Sequence, residues 1–349
     1  MITRRVKLFS FLVFNCLLLA VNSFVYAQEI YFASWGGSYQ RALEKAWLNP
    51  FSEKTGIEIY RDTEPEIAKI RAMVDTGNVQ WDIVTGGGET LMRGIEYGLF
   101  VNLTEEMINQ ESIIPSIRNE YAIPTEIYAT VIGYSKEKFK NNQPNTFSDF
   151  WDIKKFPGRR SLPDDPAAVL EAALIADGVN KTDIYQLLNT EHGMQRALDK
   201  VKEIKNHIAF WWSSGAQPVQ ALASGEIDLA LGWNGRFQSG MDNGLNIEMA
   251  WGDSISHVGY MMMLKGAPNS FDATKFLNYI IEPEVQARIS NYISYGPASD
   301  KALQFLDEAT LKKLPSTKER MKNTLFLDIT WWSENSEHAL DAYLSLIQE

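Results

Sequence analysis

Cysteine is all but missing here: Cys16 is the only one among 349 residues. It sits inside an apolar run and precedes Leu17-Leu18-Leu19, a setting unlike that of a lipid-attachment cysteine after a small residue. An internal disulfide is excluded, so the fold must be held by its core alone. Positive charge is short as well, with 33 basic residues against 44 acidic ones and a net charge of −11. Such a surface repels nucleic acid and anionic lipid, and no nucleic-acid partner is expected. The four histidines, His192, His207, His257 and His338, lie far apart and match no metal spacing. There is no G-x-S-x-G elbow, and Gly86-Gly87-Gly88 lacks the Lys-Ser/Thr of a phosphate-binding loop. Asp164-Asp165 could form a carboxylate pair, although aspartates before Pro166 more often make a turn and helix cap. No cofactor or metal is expected. A catalytic constellation assembled from distant residues stays open, but no local motif points to one.

Long apolar runs are absent after residue 27. Before it, Arg4, Arg5 and Lys7 precede an apolar run from Leu8 to Val21, and Val25-Tyr26-Ala27 offers small residues where a signal peptidase reads. The expectation is a signal peptide over residues 1–27 and a periplasmic mature protein. An uncleaved anchor is the alternative, since Leu8 to Tyr26 approaches a bilayer span, but Ser10, Asn15, Asn22 and Ser23 thin its hydrophobicity. Without those three basic residues, 30 remain against 44 acidic ones, a net charge of −14. The roughly 320 residues left exceed what one core usually holds, which points to two domains.

What is present is an alternation of short apolar runs with helical patterns, the mark of an α/β fold with mostly parallel sheets. Glu29 to Ser34, Ile57 to Tyr60 and Asp82 to Thr85 read as strands, with helical spacing between them at Tyr39-Ala42-Leu43-Ala46 and Ile67-Ile70-Met73. That is half of a doubly wound sheet, whose ligands bind outside the carboxyl ends of the strands. Ile208 to Trp212 and Asp228 to Gly232 repeat the pattern around a helix from Gln217 to Ser224. No flexible linker separates the halves, so short extended crossings at Thr125 to Tyr134 and Met249 to Leu264 are expected. Trp211-Trp212 and Trp331-Trp332 read as pairs with one packed and one partly exposed ring. Met261-Met262-Met263 reads as buried strand, and Ala339 to Ile347 as a docking helix.

Three strand ends share a composition: Ser34-Trp35-Gly36-Gly37-Ser38-Tyr39, Thr85-Gly86-Gly87-Gly88 and Gly232-Trp233-Asn234-Gly235-Arg236. Glycine lets backbone approach a ligand, a helix start offers free N–H groups, and Trp35, Tyr39 and Trp233 add flat faces. One such element is more often an ordinary turn. Three at equivalent places favour a shared cleft.

These residues resemble the extracellular solute-binding proteins of the spermidine/putrescine type. The resemblance spans most of the chain after residue 27. It is carried by Ser34 to Tyr39, Trp81-Asp82-Ile83-Val84, Phe150-Trp151-Asp152 through Phe156-Pro157-Gly158-Arg159-Arg160, Leu222 to Asp228, Trp233-Asn234-Gly235 and Tyr295-Gly296-Pro297. It implies a two-lobed periplasmic-binding-protein (type II) fold with the ligand between the lobes. It also implies a monomer that hands a small organic solute to the membrane permease of an ABC importer. The lobes would be 28–127 plus 259–297, and 131–255 plus 298–349. By similarity, Trp35, Ser38 and Tyr39, the Thr85-Gly86-Gly87 turn, Trp233, Asn234, Tyr260 and Tyr295 line the cleft, and Asp165 matches an amine-binding carboxylate.

Departures from that pattern decide the expected ligand. Ala168 stands where a second carboxylate would follow Asp165, Arg236 stands beyond Trp233 where some putrescine binders carry aspartate, and Tyr260-Met261 aligns where an aspartate is frequent. A dication would then lack partners, and an unpaired buried ammonium costs several kcal/mol. An amino-acid-like or opine-like compound, its acidic group held by Arg236, fits better; Arg236 as a solvated or lobe-bridging arginine remains open. The alternatives are a true polyamine binder, a binding protein serving a membrane sensor, and a secreted α/β enzyme.

Overall fold

A computed structural model describes residues 28–348; the export segment read over residues 1–27, and Cys16 within it, lie outside them. Strand β1 (Glu29–Ser34) pairs in parallel with β2 (Glu58–Thr63) and with β3 (Ile83–Gly86). In β1 the side chains alternate between partly and fully buried before ending in three buried residues, as expected of a strand covered on both faces. The second half repeats the arrangement, with β5 (Arg160–Pro163) parallel to β6 (Ile208–Trp212) and to β7 (Leu229–Trp233).

Two long strands join these halves. β4 (Ile123–Ser135) and β8 (Ile247–Met263) run antiparallel to each other. β8 meets β3 through Tyr260–Met263, whereas β4 meets β7 through Thr130–Tyr134. The strand order is therefore β2-β1-β3-β8-β4-β7-β5-β6, with the short strands β9 (Gly296–Pro297) on β4 and β10 (Thr324–Phe326) on β8. Both expected crossings exist and are longer than the sequence reading, because each continues as a sheet member inside both halves.

Two main cores flank this pair. One gathers Phe32, Trp47, Trp81, Met261 and Phe276; the other gathers Phe150, Phe156, Leu170, Trp332 and Tyr343, with a smaller cluster around Phe237. The molecule is thus a two-lobed α/β fold. Met261, Met262 and Met263 are fully buried strand residues, as read.

The most specific motifs turn out to be structural staples. Asp82 is buried and accepts from the backbone N–H of Tyr31 and from both the N–H and the side-chain amide of Asn269, tying β3 to β1 and to a loop far along the chain. Arg160 is fully buried and donates to the carbonyls of Phe150, Phe156 and Gly158, so one guanidinium satisfies the turn that Phe-Pro-Gly-Arg-Arg makes. The C-terminal helix runs Ile329–Gln348, longer than expected, and takes in the second tryptophan pair. Trp211 and Trp212 follow the expected pattern of one partly exposed and one buried ring, but Trp331 and Trp332 are both buried, edge-to-face at 5.0 Å. The Trp332 indole donates to buried Glu171, a partner the sequence does not announce.

Candidate functional site

The cleft floor is the β4–β8 ladder, and the register decides what it shows. Directly opposed residues share a face, so Thr85 with Met261, Glu126 with Gly259 and Tyr128 with His257 lie on one side. Tyr128 stacks on His257 at 4.8 Å and 5°, tilts against Tyr295 at 5.2 Å, and meets Trp233 edge-on at 6.2 Å. Trp233 in turn sits edge-on to Trp212 at 5.5 Å, and Tyr39 lies 6.4 Å from Tyr295. A Cβ at Gly87 would stand 3.8 Å from the Tyr128 hydroxyl, so the turn after β3 brings bare backbone up to this ring cluster. Next to it, any side chain at Gly88 would strike Ile329 of the C-terminal helix; a glycine there lets the two lobes approach.

Polar groups thread through the rings. The helix after β1 (Gly37–Leu43) points its first turn at both lobes. Arg236, in the helix after β7 (Asn234–Asp242), donates from Nη1 to Ser38 Oγ at 2.6 Å. The next residue, Tyr39, donates its hydroxyl to Glu126 Oε1 at 2.6 Å. Three buried atoms here have no protein partner: Thr85 Oγ1, Glu126 Oε2 and Arg236 Nε. A buried polar atom without a partner costs about 1–3 kcal/mol, so their clustering in one cleft marks a place built to receive something polar.

The ionisation states follow from burial. Burial raises the Glu126 carboxyl above the usual range, against the pull of the Thr125 and Tyr39 hydroxyls. The Tyr295 phenol is pushed up to about 12, mainly by burial, with Arg236 drawing it down and Glu126 raising it. His257 is lowered to about 4 by burial and is a neutral ring bonded to Thr130 Oγ1 at 2.9 Å. Asp165 is exposed as a residue, yet its carboxyl has protein on most sides. That burial, with Glu89 and Asp164 adding to it against the Ala167 N–H, pushes its carboxyl up to about 6.

The residues singled out from sequence divide by what surrounds them. Ser38, Tyr39, Trp233, Arg236 and Tyr295 meet in the ring and hydrogen-bond cluster just described, with the Thr85-Gly86-Gly87 turn at its side. Asp165 is close enough for its charge to act on Tyr128. Trp35 is 48% exposed and forms an open rim rather than a packed wall. Asn234 is fully buried with both ends of its amide engaged: Oδ1 accepts from Ala129 N and Nδ2 donates to the Ser294 carbonyl. It braces the cleft. Tyr260 is buried in the first core, paired with Gly86 in the ladder, and its phenol is close enough to act on Tyr128. Asp165 makes the expected turn, accepting from Ala167 N at 2.7 Å, but the following helix (Val169–Ala176) begins from Ala168 without a side-chain cap.

Sequence reasoning missed Glu126, Tyr128 and His257. They lie in segments read as connections, and their only sequence signal is a glutamate and a histidine inside otherwise apolar strands. Hollows of about 540 Å³ beside Lys138 and Asp228, and about 500 Å³ beside Tyr60 and Trp81, share no residue with the cleft. Their acids are already occupied, Asp228 by Lys138 at 2.8 Å and Asp62 by the Trp81 indole at 2.9 Å.

Residues 46–319 match the bacterial extracellular solute-binding protein family. The chain belongs to that family. It is similar to the gamma-aminobutyric acid-binding protein of Pseudomonas aeruginosa, 32% identical with 89% of this chain and 88% of that one covered. An ABC transporter substrate-binding protein of Bradyrhizobium japonicum superposes with a TM-score of 0.86 at 37% identity, covering 92% of this chain and 99% of that one. The binding protein MotA of A. tumefaciens, solved with glucopine, superposes with a TM-score of 0.84 at 29% identity, covering 91% and 99%. This solute-binding protein is therefore a component of an ABC importer and not an enzyme. Such proteins capture a small solute and deliver it to a membrane permease, which is what a cleft of rings and unpartnered polar atoms between two lobes can do.

Proposed function

We propose that the solute carries one acidic group and one amine on a short carbon frame, an amino-acid-like or opine-like compound. The observation that carries this reading is Arg236: a cation in the cleft wall, held by Ser38 and with a buried Nε that no protein atom accepts from. A carboxylate can take two guanidinium N–H groups at once, which no amine can. Tyr39, Tyr128, Trp233 and Tyr295 supply faces for the carbon frame. The relative from P. aeruginosa is a gamma-aminobutyric acid-binding protein and MotA holds glucopine, both in keeping with this class.

A polyamine reading has one observation in its favour, since the carboxyls of Asp165 and Glu126 both reach this region. Arg236 among the same rings opposes it, as does Ala168 at the place of a second acid. Titration with γ-aminobutyrate and with putrescine separates the two. Arg236→Leu is expected to weaken γ-aminobutyrate binding about 100-fold or more, the loss of a buried charged pair; unchanged affinity would remove the anion clamp.

The remaining assignments rest on the same reading. Residues 1–27 are a cleaved export signal and the mature protein is periplasmic. It acts as a monomer without nucleic acid, consistent with its net charge of −14 from 30 basic and 44 acidic residues. The lobes are 28–127 plus 259–297 and 131–255 plus 298–349, with the turn Asp300–Phe305 resting on the Pro283–Ala287 helix of the first.

A further inference from the structure

We propose that Glu126 is the acceptor of the solute's amine and that it works as a pair with Arg236, a reading that rests on the ligand class proposed above. Glu126 lies on the crossing strand β4, is 2% exposed, and is buried on every side by protein. Tyr39 bonds one of its oxygens; the other accepts no hydrogen bond, since the neighbouring Thr125 hydroxyl donates to the Gly259 carbonyl instead. A buried acid with one vacant oxygen is unfavourable unless something fills it, and a cleft that opens and closes around a cationic group would do so.

The geometry joins it to Arg236. Ser38 and Tyr39 are neighbours in the first turn of one helix; Ser38 holds the guanidinium and Tyr39 holds the carboxyl. Tyr295 lies within electrostatic range of both, drawn one way by Arg236 and the other by Glu126. The two opposite charges thus act on one phenol and are held by adjacent residues of one helix turn, an arrangement that offers one end of a solute an anion and the other a cation. Gly259 sits directly opposite Glu126 in the ladder, where any side chain would collide with the carboxyl, so this strand has left the space to the acid. Glu126 supplies from β4 the anion that Ala168 and Met261 do not provide at their places. Asp165, the other carboxyl near the cleft, belongs to an exposed residue and has the charges of Glu89 and Asp164 close to it.

The test compares γ-aminobutyrate with γ-hydroxybutyrate, which keeps the acid and replaces the ammonium by a neutral hydroxyl. Calorimetric affinities for both are taken on the wild type, Glu126→Gln and Asp165→Asn. The wild type is expected to prefer the amine by about 30-fold or more, the range of a hydrogen bond to a charged group. In Glu126→Gln that preference is expected to fall below about threefold, while Asp165→Asn keeps it. Glu126→Gln weakening both probes equally would reduce Glu126 to a structural role and overturn the inference, as would a variant that keeps the preference. If Glu126→Gln does not fold, Asp165→Asn decides: a retained preference supports Glu126, and a collapsed one moves the amine to Asp165. A wild type that binds neither probe removes the proposed ligand class and the pairing with it. A wild type that binds both equally removes the pairing alone.

Discussion

At the scale of single residues, the backbone at Ala168 carries the clearest strain. Its φ is +67°, in the left-handed region that an alanine Cβ disfavours, and it precedes the Val169 helix without a capping side chain. Its methyl is buried in the second core, a small packing contribution beside the strain of a left-handed alanine. Ala168→Gly is therefore expected to raise stability by about 0.5–1 kcal/mol in urea denaturation, the relief of strain exceeding the extra freedom glycine adds to the unfolded chain. A destabilised variant would show that the buried methyl packs too well to lose. Tyr39 is the contrasting case, a residue whose hydroxyl matters more than its ring position. Tyr39→Phe removes the donor to Glu126 Oε1, and a loss of about 1–3 kcal/mol is expected in the same measurement.

At the scale of elements, the second lobe is latched through one buried acid. Glu171, on the Val169 helix, accepts from the Tyr185 hydroxyl and the Trp332 indole at one oxygen, while its other oxygen has no partner. Tyr185 O–H accepts in turn from the Asp328 N–H, so the start of the C-terminal helix hangs on this centre. Burial, opposed by those hydrogen bonds, pushes the Glu171 carboxyl up to about 7 from an ordinary 4.5. The sign is the reverse of a salt-bridged acid. Between those values the folded state holds a proton that the unfolded state has released, so stability rises as pH falls from above 7 toward 4.5. Glu171→Gln is expected to flatten that part of the curve and to equal or exceed the wild type at pH 8, read as thermal midpoints between pH 5 and 8. Glu126 and Asp165 are raised in the same direction and leave a residual slope, so the wild-type-minus-variant difference is the quantity to follow. An unchanged difference across the range would show that Glu171 stays ionised.

At the scale of the whole molecule, two cores meet at a cleft, and the contacts across it are few and specific. Arg236 with Ser38, Asn234 with the Ser294 carbonyl and the Gly88 turn against Ile329 are among them. A solute that binds only the closed arrangement must stabilise it by mass action. At 100 times its dissociation constant, γ-aminobutyrate is expected to add about 2.7 kcal/mol, seen as a thermal midpoint several degrees higher. In Arg236→Leu at the same concentration the gain should fall to about 0.4 kcal/mol or less. A shift of equal size in both proteins would place the solute outside the cleft.

Local order is what the sequence determined by itself. Alternating apolar runs and glycine stops located β1, β6 and β7 to within a residue, and the scarcity of cysteine, basic charge and metal spacing excluded whole classes of function before any fold was known. The strand-end turns also disclosed Ser38, Tyr39, Trp233 and Arg236, because glycine and aromatic residues mark such turns whatever lies around them. Only the tertiary structure decided how these parts meet. Glu126, Tyr128 and His257 sit in long apolar crossings, and nothing local tells which face of a strand opens on a cleft; that depends on a register set by residues more than a hundred positions away. The same dependence gave Asn234 a bracing role, since a side chain's chemistry is local while its neighbours are not.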